Sequence, residues 1–392
     1  MFSSHITRVT LLAWVITVAS PVVAGTLTVN NLGDAGDGTL RSAIEQAVSG
    51  DTIDFQAGLE GTITLDSPLP VLDFDLSIEG PGADVIIVSG ANQNRVFFIE
   101  SGATVAISGL SIAAGFHEFE IEDTESGIGG AILNLGTLFL EDCVVRDSFA
   151  EFGGGGISND EAGILKVSRC AIAGNSTGAD GAGGGIENFS GQVEVVSSTI
   201  SGNQADFGGG IDNIGTLTVV NSTVSGNSAI GFGGGINNVA GEVALVFSTV
   251  AGNSAEFGAG IFNDDHFTAR NSLVVNNLAG GDCDNDDGIS FDASGDNLAT
   301  DLTCPGFAQT TAEALGLGPL ADNGGPTRTH ALGNASVAIN AVDDCTDIDG
   351  ITAIVQDQRG VTRPQGTSCD IGAFEFDSHD VIFSDRFEED QA

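Results

Sequence analysis

The feature that most constrains this chain is an internal repeat. A string of the form Gly-Gly-(Ala/Gly)-Ile-x-Asn, with small variations, places its Asn at Asn134, Asn159, Asn188, Asn213, Asn238 and Asn263, at spacings of 25, 29, 25, 25 and 25 residues. Each unit continues with alternating apolar residues, as in Leu138 and Leu140 or Leu217 and Val219. It then enters a second turn signal such as Ser222-Thr223-Val224-Ser225-Gly226-Asn227. Short runs of period-2 alternation bounded by Gly and Asn read as strands. The unit is too short and too rich in Gly for a helix pair. A 25-residue unit with three short strands and three turns is one rung of a parallel β-helix.

That architecture carries further expectations. Inward Ile, Leu and Val stack on their copies at the strand spacing of about 4.8 Å. The repeated Asn should stack as amide ladders in turns, where Asn tolerates left-handed backbone. Phe207, Phe232 and Phe257 each stand four residues before the repeat Ile and should form a stacked column. The Gly runs suit tight corners with positive φ. They do not suit a phosphate loop, because no helix start, Lys or Ser/Thr follows at the required spacing. Winding is expected to be right-handed.

Around the regular rungs the organisation is less even. Residues 1–24 read as an export signal: a weakly basic head, an apolar stretch too short to span a bilayer, and Val22-Val23-Ala24 before the expected cleavage. Residues 25–56 form an N-terminal cap and first strand. A helix is expected at 39–48, with Leu40, Ala43, Ile44 and Ala47 on one face and Asp37 or Thr39 as its cap. Such a helix can cover the open solenoid end, whose unpaired strand edges invite aggregation. The rungs run from 57 to 280, irregular at first and regular from about 129, with an acidic insertion at 116–128. A loop-rich segment, 281–376, holds four of the six Cys, and an acidic tail occupies 377–392.

Cysteine and charge narrow the setting. An even number of Cys in an exported chain favours disulfides, and no Cys-x-x-Cys or His-rich spacing supports zinc. The expected pairs are Cys143–Cys170, on successive rungs, and the local loops Cys283–Cys304 and Cys345–Cys369. Eleven Lys and Arg stand against 54 Asp and Glu, a formal charge of −43. Such a chain repels phosphate backbones and anionic membranes, which excludes nucleic acid as a partner. No segment after the signal is long and apolar enough to span a membrane, and a monomer is expected.

Several of these residues carry a family resemblance. Gly38-Thr39-Leu40-Arg41-Ser42-Ala43-Ile44 and Ile78-Glu79-Gly80-Pro81-Gly82-Ala83 resemble the start of many bacterial exported β-helix proteins. The Gly-Gly-Gly-Ile-x-Asn rungs resemble repeats of the polymorphic outer membrane protein group. Gly318-Pro319-Leu320-Ala321-Asp322-Asn323-Gly324-Gly325-Pro326-Thr327-Arg328-Thr329-His330-Ala331-Leu332 is similar to the choice-of-anchor Q domain. So are Asp357-Gln358-Arg359-Gly360-Val361-Thr362-Arg363-Pro364 and Cys369-Asp370-Ile371-Gly372-Ala373-Phe374-Glu375. The resemblance implies a right-handed β-helix that is exported and often surface-attached, with no assigned activity. The chain departs from the outer membrane group in having no stretch after residue 376 that could build a membrane barrel.

Candidate chemistry is sparse. A polysaccharide lyase needs a base and a cation to stabilise the resulting anion. Lys166, Arg146, Arg169 and Arg270 lie in the repeats but read as solvated surface charges. A glycoside hydrolase needs two carboxylates flanking the scissile bond. Glu187 and Asp212 fill the same repeat position on successive rungs, and are expected to point outward about one strand spacing apart. His330, inside the C-terminal motif, reads as a structural hydrogen-bonding residue. No nucleophile elbow or Cys-His pair is present. Asp282, Asp284 and Asp286 alternate in a turn that can offer hard oxygens to Ca²⁺, a candidate cofactor, although the run lacks the Gly and Glu of an EF-hand. Asp343-Asp344-Cys345-Thr346-Asp347-Ile348-Asp349-Gly350 is a second acidic turn of the same kind.

After the signal the chain has no Trp or Tyr, the usual platforms for sugar stacking. The repetition leaves a long regular face. The favoured reading is therefore an exported or cell-surface β-helix module without catalysis, serving adhesion or binding of an extended ligand such as a polysaccharide or a surface protein. The alternative is a polysaccharide lyase or glycoside hydrolase, with Glu187, Asp212 and Lys166 as its residues.

Overall fold

Strands pair in parallel and in register along the whole repeat. Two sheets of 11 strands run the length of a right-handed parallel β-helix, with one of eight strands from residue 97 and one of five over its middle rungs, 116–232. The computed structural model describes residues 24–118, 127–286 and 288–377. The expected signal at 1–24 (apart from its last residue), most of the acidic insertion and nearly all of the tail lie outside the described residues. No helix among the described residues is long and apolar enough to cross a membrane.

One rung shows why the repeat folds this way. Thr216–Val220 adds to the first sheet, Thr223–Ser225 to the second and Ile236–Asn238 to the third. A fourth strand, Ser228–Phe232, lies between the last two, so these rungs carry four strands where three were expected. Leu138, Leu165, Val193, Leu217, Val243 and Phe267 stack in one inward column, none more than 3% exposed. Ile157, Ile186, Ile211, Ile236 and Ile261 form another, fully buried. Apolar side chains thereby cover one another from rung to rung, and no second layer is required.

The corners are held by polar ladders. In the repeat Asn, each amide donates to the next: Asn159 Nδ2 to Asn188 Oδ1 at 2.9 Å, Asn188 to Asn213 at 2.7 Å and Asn213 to Asn238 at 2.8 Å. A second ladder runs through Asn175, Asn203, Asn227, Asn253 and Asn277. The ladder Asn do not have positive φ, as the sequence reading supposed; only other Asn, such as Asn221 and Asn271, do. Asn recurs because its amide both donates and accepts, so each copy satisfies its neighbour without solvent.

A third ladder corrects the cysteine expectation. Cys283–Cys304 and Cys345–Cys369 are bridged, but Cys143 and Cys170 are buried free thiols. They head a column that continues as Ser198, Ser222, Ser248 and Ser272, in which each backbone N–H donates to the next side chain. Each Sγ or Oγ also donates to the carbonyl two residues earlier, as Cys170 does to Ser168 and Ser198 to Val196. The thiols thus fill hydroxyl positions in a ladder.

The ends are closed differently. Helix α1, Leu40–Gln46, is shorter than expected because Ala47 is already extended. Thr39 Oγ1 caps it by accepting from Ser42 N, and Leu40, Ala43 and Ile44 pack into the first rungs. At the other end, residues 312–376 fold back along the outside of the solenoid. Leu315, Leu332, Ile371 and Phe374 cover Val220, Val246, Phe247 and Leu273. Gln358, 1% exposed, accepts from Thr223 Oγ1 at 2.6 Å and donates to Thr199 Oγ1 and Thr327 Oγ1. His330 bridges Ser225 Oγ and the Gly318 carbonyl, and burial lowers its pKa. Its expected structural role is what the contacts display. Arg363 lies over the Phe247 ring at 4.6 Å and pairs with Glu375 at 3.0 Å.

Two outcomes follow. A thiol reagent should leave the native chain unlabelled and detect two thiols after unfolding without reductant; Cys170→Ser should cost at most about 1 kcal/mol, because the hydroxyl keeps the ladder. Arg363→Met should cost about 3 kcal/mol in urea unfolding, because it leaves the buried Glu375 carboxylate without its cation.

Candidate functional site

The middle residue of each Ile-x-Asn strand faces away from the core. In register these residues form the series Ser158, Glu187, Asp212, Asn237, Phe262 and Asp284. Glu187 and Asp212 are adjacent, as their shared repeat position predicted. They do not reach open solvent, however: Glu187 is 9% and Asp212 3% exposed.

The Gly corners explain that burial. A Cβ on Gly153 would fall within 2.3 Å of the Glu187 carboxylate, and one on Gly208 (φ 58°) would fall 2.7 Å from the Asp212 Cβ. Only Gly allows the preceding corner to pass so closely over the acids. Ser158 Oγ donates to Glu187 Oε2 at 2.8 Å, and Asn237 Nδ2 donates to Asp212 Oδ1 at 2.6 Å.

Desolvation dominates the electrostatics. Burial pushes the Glu187 carboxyl from 4.5 to about 7, with Asp212 and Asp160 adding to the rise and the Ser158 bond opposing it. Burial pushes Asp212 from 3.8 to about 6, against the Asn237 bond. Two neighbouring carboxyls that titrate near neutrality can exchange protons with a bound substrate.

Asp212 opens into a groove of about 560 Å³ whose apolar side is Phe207, Phe232, Phe262, Ile214 and Val239. The Phe column expected from the repeat is present, with ring centroids 6.1 Å apart for Phe207–Phe232 and 5.2 Å for Phe232–Phe257. Phe262 meets Phe232 at 4.6 Å. The polar side is Asp212, Asn237, Asp264 and Asp286, with no Lys or Arg among the described lining residues. Partial desolvation and the neighbouring Asp286 raise the Asp264 pKa. Asn237 points its donor at Asp212, which leaves its buried Oδ1 without a hydrogen-bond partner.

Other candidates fall elsewhere. Lys166 projects from the first sheet, half-exposed and 2.5 Å from Glu194, so it does not join the acid pair on the third sheet. Arg169 pairs with Glu141 and Asp142, and Arg146 with Asp147, as surface charges. Arg270 instead anchors the returning segment through Asp344 and Thr346.

The proposed Ca²⁺ set is not assembled. Asp282, 1% exposed, spends its carboxylate on Asn277, Thr300 and Asp301, capping the second amide ladder with an all-acceptor group. Asp284 and Asp286 line a separate shallow hollow with Asn285. Among the described residues no three His, Cys, Asp or Glu side chains are placed to hold a metal. The residues that sequence reasoning missed, Ser158, Asn237 and Phe262, occupy the same repeat position as Glu187 and Asp212. Extending the register by one rung in each direction reveals the first two.

Comparison with known proteins supports the fold. No family model matches the chain, and no curated protein does. Among solved structures it is similar to the crystal structure of pectate lyase Pel9A, with a TM-score of 0.57 and 14% identity over 90% of this chain and 96% of that one. The structure of the PL6 family alginate lyase AlyGC gives a TM-score of 0.30 at 14% identity, over 86% of this chain and 58% of that one. The first likeness is one of architecture: a parallel β-helix of similar extent.

The raised carboxyls set the pH dependence of stability. Both folded-state values lie above the ordinary ones, so protonation favours the fold: the contribution is full below about pH 4 and is lost as pH rises through about 6 and then about 7. Thermal unfolding should show the melting temperature falling across that interval. Glu187→Gln should flatten the fall and raise stability at pH 8 by on the order of 2 kcal/mol.

Proposed function

We propose that the protein binds a polysaccharide along the Phe-lined groove and hydrolyses it with the Glu187–Asp212 pair. The observation that carries this reading is two adjacent buried carboxyls, raised to about 7 and about 6, of which Asp212 lines an aromatic groove and Glu187 stands on the next rung. Rings of Phe207, Phe232 and Phe262 can take the apolar faces of sugar units, a role the lack of Trp and Tyr had appeared to deny. Glu187, with the higher pKa, donates a proton to the departing glycosidic oxygen. Asp212, ionised first and one strand spacing away, attacks the anomeric carbon as the C–O bond breaks; water then hydrolyses the resulting glycosyl ester, giving a proton to Glu187 and freeing the Asp212 carboxylate. A lyase reading is less well supported, because the described groove offers no Lys or Arg to stabilise an enolate. The likeness to pectate lyase Pel9A supports polysaccharide as the ligand class.

The two disulfides accord with export. We read residues 281–376 as choice-of-anchor Q-like and the chain as surface-associated. A purely adhesive module, the reading favoured by sequence, would keep the groove and lack turnover.

The test is release of reducing ends from a panel of neutral, cationic and anionic polysaccharides. Activity should follow a bell with limbs near pH 6 and pH 7. Glu187→Gln and Asp212→Asn should each lower kcat by at least about a hundredfold while leaving binding intact. Binding without release from any polymer would leave the adhesive reading.

A further inference from the structure

The chemistry of the groove lining selects a class of polysaccharide, an inference that rests on the proposed polysaccharide-binding role. Its apolar side is aromatic and its polar side consists of acceptors. Asp212, Asp264 and Asp286 contribute carboxylates, and no described lining residue contributes a cation. Asn237 supplies the independent sign that a ligand is missing. It is 2% exposed, its amide nitrogen is fixed on Asp212, and its Oδ1 has no partner. A buried acceptor left unsatisfied is costly, and Asn237 is a groove-lining residue, so a small side-chain turn toward a ligand N–H or O–H would relieve it.

Asp264 and Asp286 stand on successive rungs, tied by the bond from Asp286 N to the carbonyl of Asn263. Their mutual repulsion is relieved by a cation between them. A uronate polymer would add like charge to this lining, whereas an amino sugar supplies both the donors and the positive charge. Its ring can lie on Phe232 and Phe262 while its ammonium faces the acids.

We propose that the groove is specific for a glycan bearing free amines, a glucosamine-type polymer, over neutral and uronate polymers. The net charge of −43 attracts any polycation, so the test must separate this groove from the general field. Titration calorimetry with short oligosaccharides of matched length and linkage does so: glucosamine, glucose and galacturonate series against the purified chain. The glucosamine oligomer should bind at least about tenfold tighter than the glucose oligomer. Asn237→Leu and Asp264→Asn should each remove most of that preference. Asp66→Asn and Asp73→Asn, exposed and on the early rungs, should not.

Asp264 lies on a surface turn, so its variant keeps the test open should Asn237→Leu fail to fold. Equal loss in the distant controls would assign the preference to net charge and overturn the proposal. Glucose oligomers that bind as tightly, and lose binding with Phe232→Ala, would overturn the amine preference while preserving the polysaccharide reading. No binding by any of the three series would overturn both.

Discussion

In-register stacking at about 4.8 Å is the constraint from which the rest of this structure follows. Because each rung repeats its neighbour, every side chain meets a copy or a near-copy of itself. For Ile and Val that is favourable burial. For Asn, Ser and Cys it is favourable only when the group can donate on one side and accept on the other, and the three polar ladders consist of such groups. For a carboxylate it is unfavourable, since the group accepts only and repels its like. The position of each acid in the stack therefore determines its behaviour. Asp282 ends a ladder, where an acceptor-only group meets donors alone, and its carboxylate is fully satisfied. Glu187 and Asp212 lie in the middle of a series, and burial drives them toward the neutral form.

The same reasoning explains what the sequence could and could not disclose. The period, the inward Leu and Ile columns, the capping helix and the Phe column are all nearest-neighbour effects within a repeat of 25 residues, and were readable as such. The fourth strand was less visible because stretches such as Ser176–Thr177 pair over only two residues. Burial of Glu187 was not readable. It depends on how closely the Gly153 corner passes, a contact across 34 residues that no local pattern encodes. The cysteine pair misled because adjacency on successive rungs is common to a disulfide and a ladder. The Ser column beneath it held the deciding signal.

The C-terminal motif residues illustrate a second limit. His330, Gln358, Arg359 and Arg363 include the strongest proton donors and cations of that end, and a chemist reading the sequence would test them as functional groups. In the structure His330, Gln358 and Arg363 fasten residues 312–376 to the solenoid flank, and Arg359 ties that segment together. Arg359 stacks 3.6 Å from Phe374 and pairs with Asp357, while Arg363 lies on Phe247. Phe247 occupies a corner with φ 44° where neighbouring rungs place Asn221 and Asn271. That exception to the repeat gives the returning segment an aromatic seat. Departures from periodicity thus mark places where a rung serves something other than its neighbours.

The acid pair is the other departure, and it carries a desolvation cost. Along the same series stand Leu133, Ser158, Asn237 and Phe262, all neutral, and at its end the half-buried Asp284. Gln at 187 and Asn at 212 would preserve shape and hydrogen bonding at lower desolvation cost near neutral pH. One donor each, Ser158 for Glu187 and Asn237 for Asp212, only partly offsets the desolvation of the two carboxyls. Sites that trade stability for chemistry hold such groups where substrate can reach them. Asp212 opens into the groove beside Phe207 and Phe232, so one of the two desolvated carboxyls lies against an apolar wall.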